Sequence, residues 1–66
     1  MLDKLVPIRK RKGMTQEALS RASGIHRVTI AKYETGASSP RLSNLEKLAE
    51  ALGVTVSELL GEEKAG

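Results

Sequence analysis

The chain has no cysteine, phenylalanine or tryptophan, and it has one histidine and one tyrosine among its 66 residues. The lack of cysteine excludes disulfides and thiolate metal sites, and it is typical of proteins of the reducing cytoplasm. The single histidine is too few for a multi-histidine metal site, so we expect no metal and no other cofactor. Because strand-forming aromatics are missing, the core must consist of aliphatic side chains, which suits a small helical bundle.

Long apolar runs are also absent. No stretch approaches the roughly 18 residues of a membrane span, and no signal-peptide pattern opens the chain, so we expect no membrane contact. Ser20, Ser23 and Ser43 have no histidine–carboxylate partners for a catalytic triad, so we expect no enzyme. A length of 66 residues allows one domain with a thin stability margin.

Positive charge is concentrated in the front of the chain. The net charge is +3, but residues 1–41 hold nine Lys and Arg against three Asp and Glu, and residues 42–66 hold two against five. The resulting charges, +6 in front and −3 behind, would orient the molecule in the field of a polyanion such as nucleic acid. Ordinary solvated charge explains the same asymmetry equally well.

Apolar periodicity, interrupted by glycines, predicts five short helices. A glycine follows each of the five, and a Ser- and Pro-containing loop separates the third from the fourth. The predicted helices cover residues 5–12, 15–23, 26–35, 40–52 and 55–60. We therefore expect a single domain over 1–66 with its core in 5–60 and a polar tail over 61–66.

Polar residues at the predicted helix starts supply the caps. Thr15 is a favourable N-cap for the second helix, and Thr55 with Glu58 forms a Thr-x-x-Glu capping box for the fifth. We expect Ser39 to cap the fourth helix, with Pro40 at its first position. That helix carries the clearest apolar stripe of the chain, which consists of Leu42, Leu45, Leu48, Ala49 and Leu52.

The third predicted helix carries a mixed basic and apolar face. With Ile30 directed toward the core and residues advancing by about 100° each, four residues form one contiguous outward face. Arg and Lys can donate hydrogen bonds to O6 and N7 of guanine, and an apolar group can touch a thymine methyl, so this face suits base reading in the major groove. A merely solubilising surface is the alternative. The four residues are Arg27, Val28, Ala31 and Lys32.

Polar residues around this helix are candidates for phosphate contacts, which set the register of a protein on DNA. Gln16 lies at the start of the second helix, where free N–H groups can receive a phosphate oxygen. We assign His26 mainly to the start of the third helix, with a phosphate or base contact as its second role. The alternative for these candidates is that they are ordinary polar residues of a solvated helix surface, a loop or a helix cap. The remaining candidates are Thr29, Ser38, Ser39 and Arg41.

Arg9 and Glu34 carry charges at the margin of the core-facing side, since their sequence neighbours Ile8 and Ile30 are apolar. We expect the two charges to form an ion pair that ties the first helix to the end of the third. Such a pair would fix the angle of the third helix relative to the first. Removing one partner of a partly buried pair would be costly, because it strands the other charge.

Several segments stand in order along the chain: Ile8-Arg9, Lys12-Gly13, MTQEAL at 14–19, Gly24-Ile25, Thr29-Ile30, YETG at 33–36, Pro40 and LEKLAEALGV at 45–54. In combination, they resemble the Cro-like phage-repressor family of bacterial helix-turn-helix regulators. The resemblance covers roughly residues 5–60. Relative to the family, the chain differs at His26, where Ser or Thr is usual, at Pro7, and in the loop 37–39, which lacks the usual Lys or Arg.

The resemblance implies an all-α, lambda-repressor-like bundle with the third helix in the major groove of double-stranded DNA. It implies a cytoplasmic, nucleoid-associated regulator of a bacterium or phage, most often a repressor. It also implies the phosphate contact at Gln16, base contacts at Arg27, Val28 and Lys32, and the Arg9–Glu34 ion pair.

One such domain would read only about four or five base pairs, which is too few among the competing sites of a genome. We therefore expect a homodimer on a pseudo-palindromic operator with half-sites about 34 Å apart. A rival function is a protein-interaction module that binds an antagonist or a toxin through the fourth and fifth helices. The candidate dimer residues, for which completing the core is the alternative role, are Val54, Val56, Leu59 and Leu60.

Overall fold

The computed structural model describes residues 2 and 4–61 as five α-helices joined by short turns. No strand occurs among these residues, and the predicted all-α bundle is confirmed. None of the described helices has the length and apolar character needed to cross a membrane. The predicted polar tail, apart from Gly61, lies outside the described residues. The helices are α1 (Leu5–Arg11), α2 (Gln16–Ser23), α3 (Arg27–Thr35), α4 (Leu42–Leu52) and α5 (Val56–Leu60).

The core draws one completely buried side chain from each helix. Burying an aliphatic side chain of this size contributes about 1.5–3 kcal/mol, so these five residues account for much of the stability of so short a chain. Leu2 is buried as well, although it precedes the predicted core range, and it extends the core beyond the start of α1. The five completely buried residues are Leu5, Leu19, Ile30, Leu48 and Leu59.

Local capping explains where most helices begin. The Thr15 hydroxyl accepts a hydrogen bond from the Ala18 N–H at 3.0 Å, and Thr55 and Glu58 form the predicted capping box. Pro7 is the third residue of α1, in the first turn, where a backbone N–H has no helical partner to lose. The predicted bounds of α1, α2, α3 and α5 agree with the structure to within one residue at each end.

The prediction for the start of α4 is wrong. The helix begins at Leu42 rather than Pro40, and its N-cap is Arg41 rather than Ser39. Arg41 has extended backbone angles (φ −80°, ψ 169°), which cannot belong to a helical turn, and its side chain makes no capping hydrogen bond. As a consequence Leu42, placed in the apolar stripe by its spacing, is 63% exposed at the first position of the helix.

The turn between α2 and α3 is held by hydrogen bonds as well as by packing. The Ser20 hydroxyl donates to the Ile25 carbonyl at 2.6 Å, and the Ser23 hydroxyl accepts from the Ile25 N–H at 3.2 Å. Ile25 itself is buried, and Gly24 supplies the left-handed residue (φ +77°) that ends α2. Since α2 also packs on α4, the turn sets the position of α3 relative to the rest of the bundle.

We expect Gly24→Ala to lower the free energy of unfolding by about 1–2 kcal/mol, because an L-residue is strained in the left-handed region. A Cβ at this position meets nothing within 4 Å, so the loss would come from backbone conformation alone. Gly24→Asn is the matched control, since asparagine tolerates this region better. Urea unfolding measures both, and equal losses would contradict the backbone explanation.

Candidate nucleic-acid interface

One face of α3 is turned to solvent and carries both charge and apolar groups. Val28 is 49% exposed, as one of three large apolar side chains exposed among the described residues, and the cations beside it are exposed. The opposite side of the helix buries Ile30 and Tyr33 in the core. The structure thus brings the four predicted base-contacting residues onto one surface. We call it the reading face, and it consists of Arg27, Val28, Ala31 and Lys32.

His26 caps the first turn of α3. Its Nδ1 atom accepts a hydrogen bond from the Val28 N–H at 3.1 Å, so an imidazole nitrogen takes the place of the usual hydroxyl oxygen. Because Nδ1 must be unprotonated to accept, the proton of the neutral ring is on Nε2. The exposed Nε2–H is then a hydrogen-bond donor at the N-terminus of α3, beside the reading face.

The C-terminal end of α3 is fixed from two sides. The buried Tyr33 hydroxyl accepts a hydrogen bond from Asn44 Nδ2 at 2.8 Å, which joins α3 to α4. The Lys32 carbonyl accepts from the Ser38 N–H and from the Thr35 hydroxyl, both at 3.3 Å. Sequence reasoning missed the Tyr33–Asn44 bond, since nothing in the local pattern indicates that the two side chains meet.

Glu34 is the centre of a partly buried polar cluster. Its Oε2 accepts from Arg9 Nε at 2.7 Å, and its Oε1 accepts from Arg9 Nη2 at 3.4 Å and from Gln16 Nε2 at 2.8 Å. Arg9 Nη1 also donates to the Met14 carbonyl at 2.8 Å. The side chains of the ion pair are only 11% exposed for Arg9 and 6% for Glu34. We call Arg9, Gln16 and Glu34 the Glu34 cluster.

The cluster gives Gln16 a fixed orientation. A side-chain amide has two N–H donors and one carbonyl acceptor, and Glu34 uses one of the donors. The second N–H and the carbonyl oxygen remain for other partners at the start of α2. The sequence indicated Arg9 and Glu34 as a pair, but it gave no signal that Gln16 joins them, because that contact depends on the packing angle between α2 and α3.

The remaining phosphate candidates lie on α3 and in the loop that follows it. Thr29 is half-buried on α3, and Ser38, Ser39 and Arg41 are exposed in the loop that leads to α4. Among the described residues, carboxylates form ion pairs only with Arg9 and Arg21. The long cations of the reading face and of the loop therefore have no carboxylate partner in the described part of the chain.

The predicted dimer residues divide between core and surface. Leu59 is completely buried, because α5 turns its inner face to α4, so it completes the core and cannot contribute to a dimer patch. Val54 and Val56 are half-buried against the same core. Leu60 is 37% exposed. It lines a small cleft of about 90 Å³ together with Leu2, Ser39, Pro40 and Leu45.

Two packed helices around a tight turn, with the second exposing a basic face, define a helix-turn-helix DNA-binding domain. The sequence matches the helix-turn-helix family over residues 8–59, which include all of α2, α3 and α4. The chain therefore belongs to the Cro-like helix-turn-helix family.

Three relatives show how the family is used elsewhere. The chain is 40% identical to the HTH-type transcriptional regulator AnsR of Bacillus subtilis over 63 residues, which cover 96% of this chain and 54% of AnsR. It is 41% identical to the immunity repressor protein of Bacillus phage phi105 over 56 residues, 85% of this chain and 39% of that protein. It is 34% identical to the HTH-type transcriptional activator BcrR of Enterococcus faecalis over 62 residues, 94% of this chain and 30% of BcrR.

The chain spans about half the length of AnsR and a smaller share of the other two relatives. No solved structure matches it significantly.

We expect Glu34→Ala to lower the free energy of unfolding by about 3–5 kcal/mol, because it strands the largely buried Arg9 guanidinium. The control is Glu17→Ala, whose exposed pair with Arg21 is worth less than about 1 kcal/mol. Urea unfolding of both variants measures the difference. Similar losses would show that the Glu34 cluster is no stronger than a surface pair.

Proposed function

We propose that the protein is a sequence-specific transcription regulator that places α3 in the major groove of DNA. The observation that supports this best is the composition of the reading face. A solubilising surface accounts for Arg27 and Lys32, but it gives no role to Val28, which is 49% exposed between them. A thymine methyl in the major groove is a suitable partner for that side chain, and guanine is suitable for the cations.

The phosphate contacts in this proposal lie on both sides of the reading face. At the start of α2, the amide of Gln16 offers its free N–H to a phosphate oxygen in an orientation set by Glu34. His26 offers its Nε2–H at the start of α3. Thr29 on α3, and Ser38, Ser39 and Arg41 in the following loop, supply the other donors. These contacts carry no sequence information, but they position α3 for base reading.

We propose that the regulator binds DNA as a homodimer, and that its dimer surface differs from the one the sequence indicated. With Leu59 in the core, the large apolar side chains exposed outside the reading face are Leu42 and Leu60, and Leu60 lines the cleft formed with Leu2, Ser39, Pro40 and Leu45. Val54 and Val56 would lie at its margin. A toxin or antagonist protein is the rival occupant of this surface.

Repression is the mode of action that we propose, since a dimer bound to promoter DNA excludes other proteins from the same groove and backbone. The name of the phage phi105 relative favours repression, and the name of BcrR shows that activation also occurs among the relatives. A reporter gene placed behind the operator decides between them. Repression predicts lower expression when the protein is present, and higher expression would contradict it.

The first experiment is the selection of binding sites from a random duplex library at about 150 mM salt. We expect a pseudo-palindrome whose half-sites are centred about 10–10.5 base pairs apart, or a multiple of that spacing, because two α3 helices must face the same side of the duplex. Recovery of no enriched sequence by folded protein would contradict sequence-specific binding. Enrichment of a single half-site without symmetry would contradict the dimer alone.

We expect Leu60→Glu to abolish dimerisation, because it places a charge in the centre of the proposed apolar surface. Ser57→Glu, which adds the same charge at an exposed position of α5, is the control and should leave the dimer intact. Sedimentation equilibrium of the three proteins gives the result. A monomeric wild-type protein, or a dimeric Leu60→Glu variant, would contradict the proposed surface.

A further inference from the structure

We propose that the reading face selects an operator half-site in which an A·T pair lies between two G·C pairs. Arg27 and Lys32 each bind the guanine of one flanking pair, and Val28 with Ala31 contacts the thymine methyl of the central pair. The inference rests on the proposed function and adds to it the chemical identity of three consecutive base pairs.

The spacing of the two cations along α3 matches two base-pair steps. Arg27 and Lys32 are five residues apart, which is about 7.5 Å along a helix axis. Successive base pairs are about 3.4 Å apart, so two steps amount to about 6.8 Å. A helix in the groove whose axis is close to the direction of the base-pair stack therefore presents its two cations to the first and the third of three base pairs. Val28 and Ala31 together are then centred on the second pair.

The apolar residues also lie between the cations around the helix. With an advance of about 100° per residue, Ala31 and then Val28 follow Arg27 around the reading face, and Lys32 comes last. Along the axis, Val28 lies about 1.5 Å and Ala31 about 6 Å from the level of Arg27, so the midpoint of the apolar pair is halfway between the two cations. Val28 is 49% exposed and Ala31 is half-buried, so Val28 offers the larger apolar surface to a base edge.

The chemistry of the base edges then selects the base pairs. Guanine is the base that presents two acceptors, O6 and N7, in the major groove, and it suits a cation that has several N–H donors. The central position instead requires a base pair that presents an apolar group. The side chain of Val28 can neither donate nor accept, so a G·C pair beneath it would lose its water without gaining a partner. The thymine methyl is the apolar group of the groove, and an A·T pair supplies it.

The structure holds this face ready for binding. Neither Arg27 nor Lys32 pairs with a carboxylate in the described part of the chain, so their donors are available. His26 caps the first turn of α3, and the Ser38 N–H binds the Lys32 carbonyl at the last. Both ends of α3 are therefore held by hydrogen bonds.

Two base analogues, each of which removes one group from the DNA, test the proposal on the half-site selected from the library. Deoxyuridine in place of the central thymine removes the methyl group alone, and 7-deazaguanine in place of a flanking guanine removes the N7 acceptor. For the wild-type protein we expect deoxyuridine to raise Kd about fourfold, the equivalent of one buried methyl group. We expect 7-deazaguanine at a flank to raise Kd at least about fivefold.

Protein variants assign each effect to a residue. The Val28→Ala variant should bind the thymine and the deoxyuridine DNA with the same Kd, within about twofold. In the Arg27→Ala variant, 7-deazaguanine should no longer raise Kd at one of the two flanking positions. Arg11→Ala is the matched control, because Arg11 is an exposed arginine on α1 that lines a groove with Lys4 and Glu58, outside the reading face. It should retain every base preference. Deoxyuridine placed outside the half-site should have no effect.

The outcomes separate this proposal from the function on which it rests. Selection of a clear operator without the G·C, A·T, G·C arrangement would overturn the base assignment and leave sequence-specific regulation intact. The same holds for a selected site that tolerates deoxyuridine and 7-deazaguanine equally in the wild-type protein. Enrichment of no sequence would overturn both.

Discussion

The carboxylate of Glu34 is the constraint on which the DNA-binding half of the molecule depends. An aliphatic core fixes which faces of the helices are inside, but such packing is nondirectional and tolerates small rotations of one helix against another. Glu34 adds directional bonds to Arg9 and Gln16, which bring α1, α2 and α3 together at one point. Because the pair is largely buried, its contribution lies more in a defined arrangement than in added stability.

Most of the fold could be predicted from local rules, and the errors show where those rules end. Thr15, Thr55 and the glycines after the helices act within one turn, so their effects can be read from spacing. The Ser39–Pro40 pattern is also local, but the extended backbone of Arg41 overrides it and shifts α4 by two residues. Leu59 illustrates another limit, because a helix of five residues is too short for periodicity to separate its inner face from its outer one.

The candidate site divides in the same way. The reading face could be derived because it depends only on the angle between residues of one helix, and the Arg9–Glu34 pair because each partner has an apolar neighbour in sequence. The place of Gln16 in the Glu34 cluster and the Tyr33–Asn44 bond could not be derived. Both are contacts between helices, and they depend on crossing angles that a 66-residue sequence does not display.

The exposure of the reading face has a consequence for the evolution of this domain. Arg27, Val28 and Lys32 contribute little to the core, and surface substitutions of this kind usually change stability by less than about 0.5 kcal/mol. Glu34 and the core residues have no such freedom, since a change there costs several times as much. On the proposed function, a lineage that carries this fold can acquire new target sequences by point substitution while its scaffold stays unchanged, and two copies of the gene can diverge in target before they diverge in architecture.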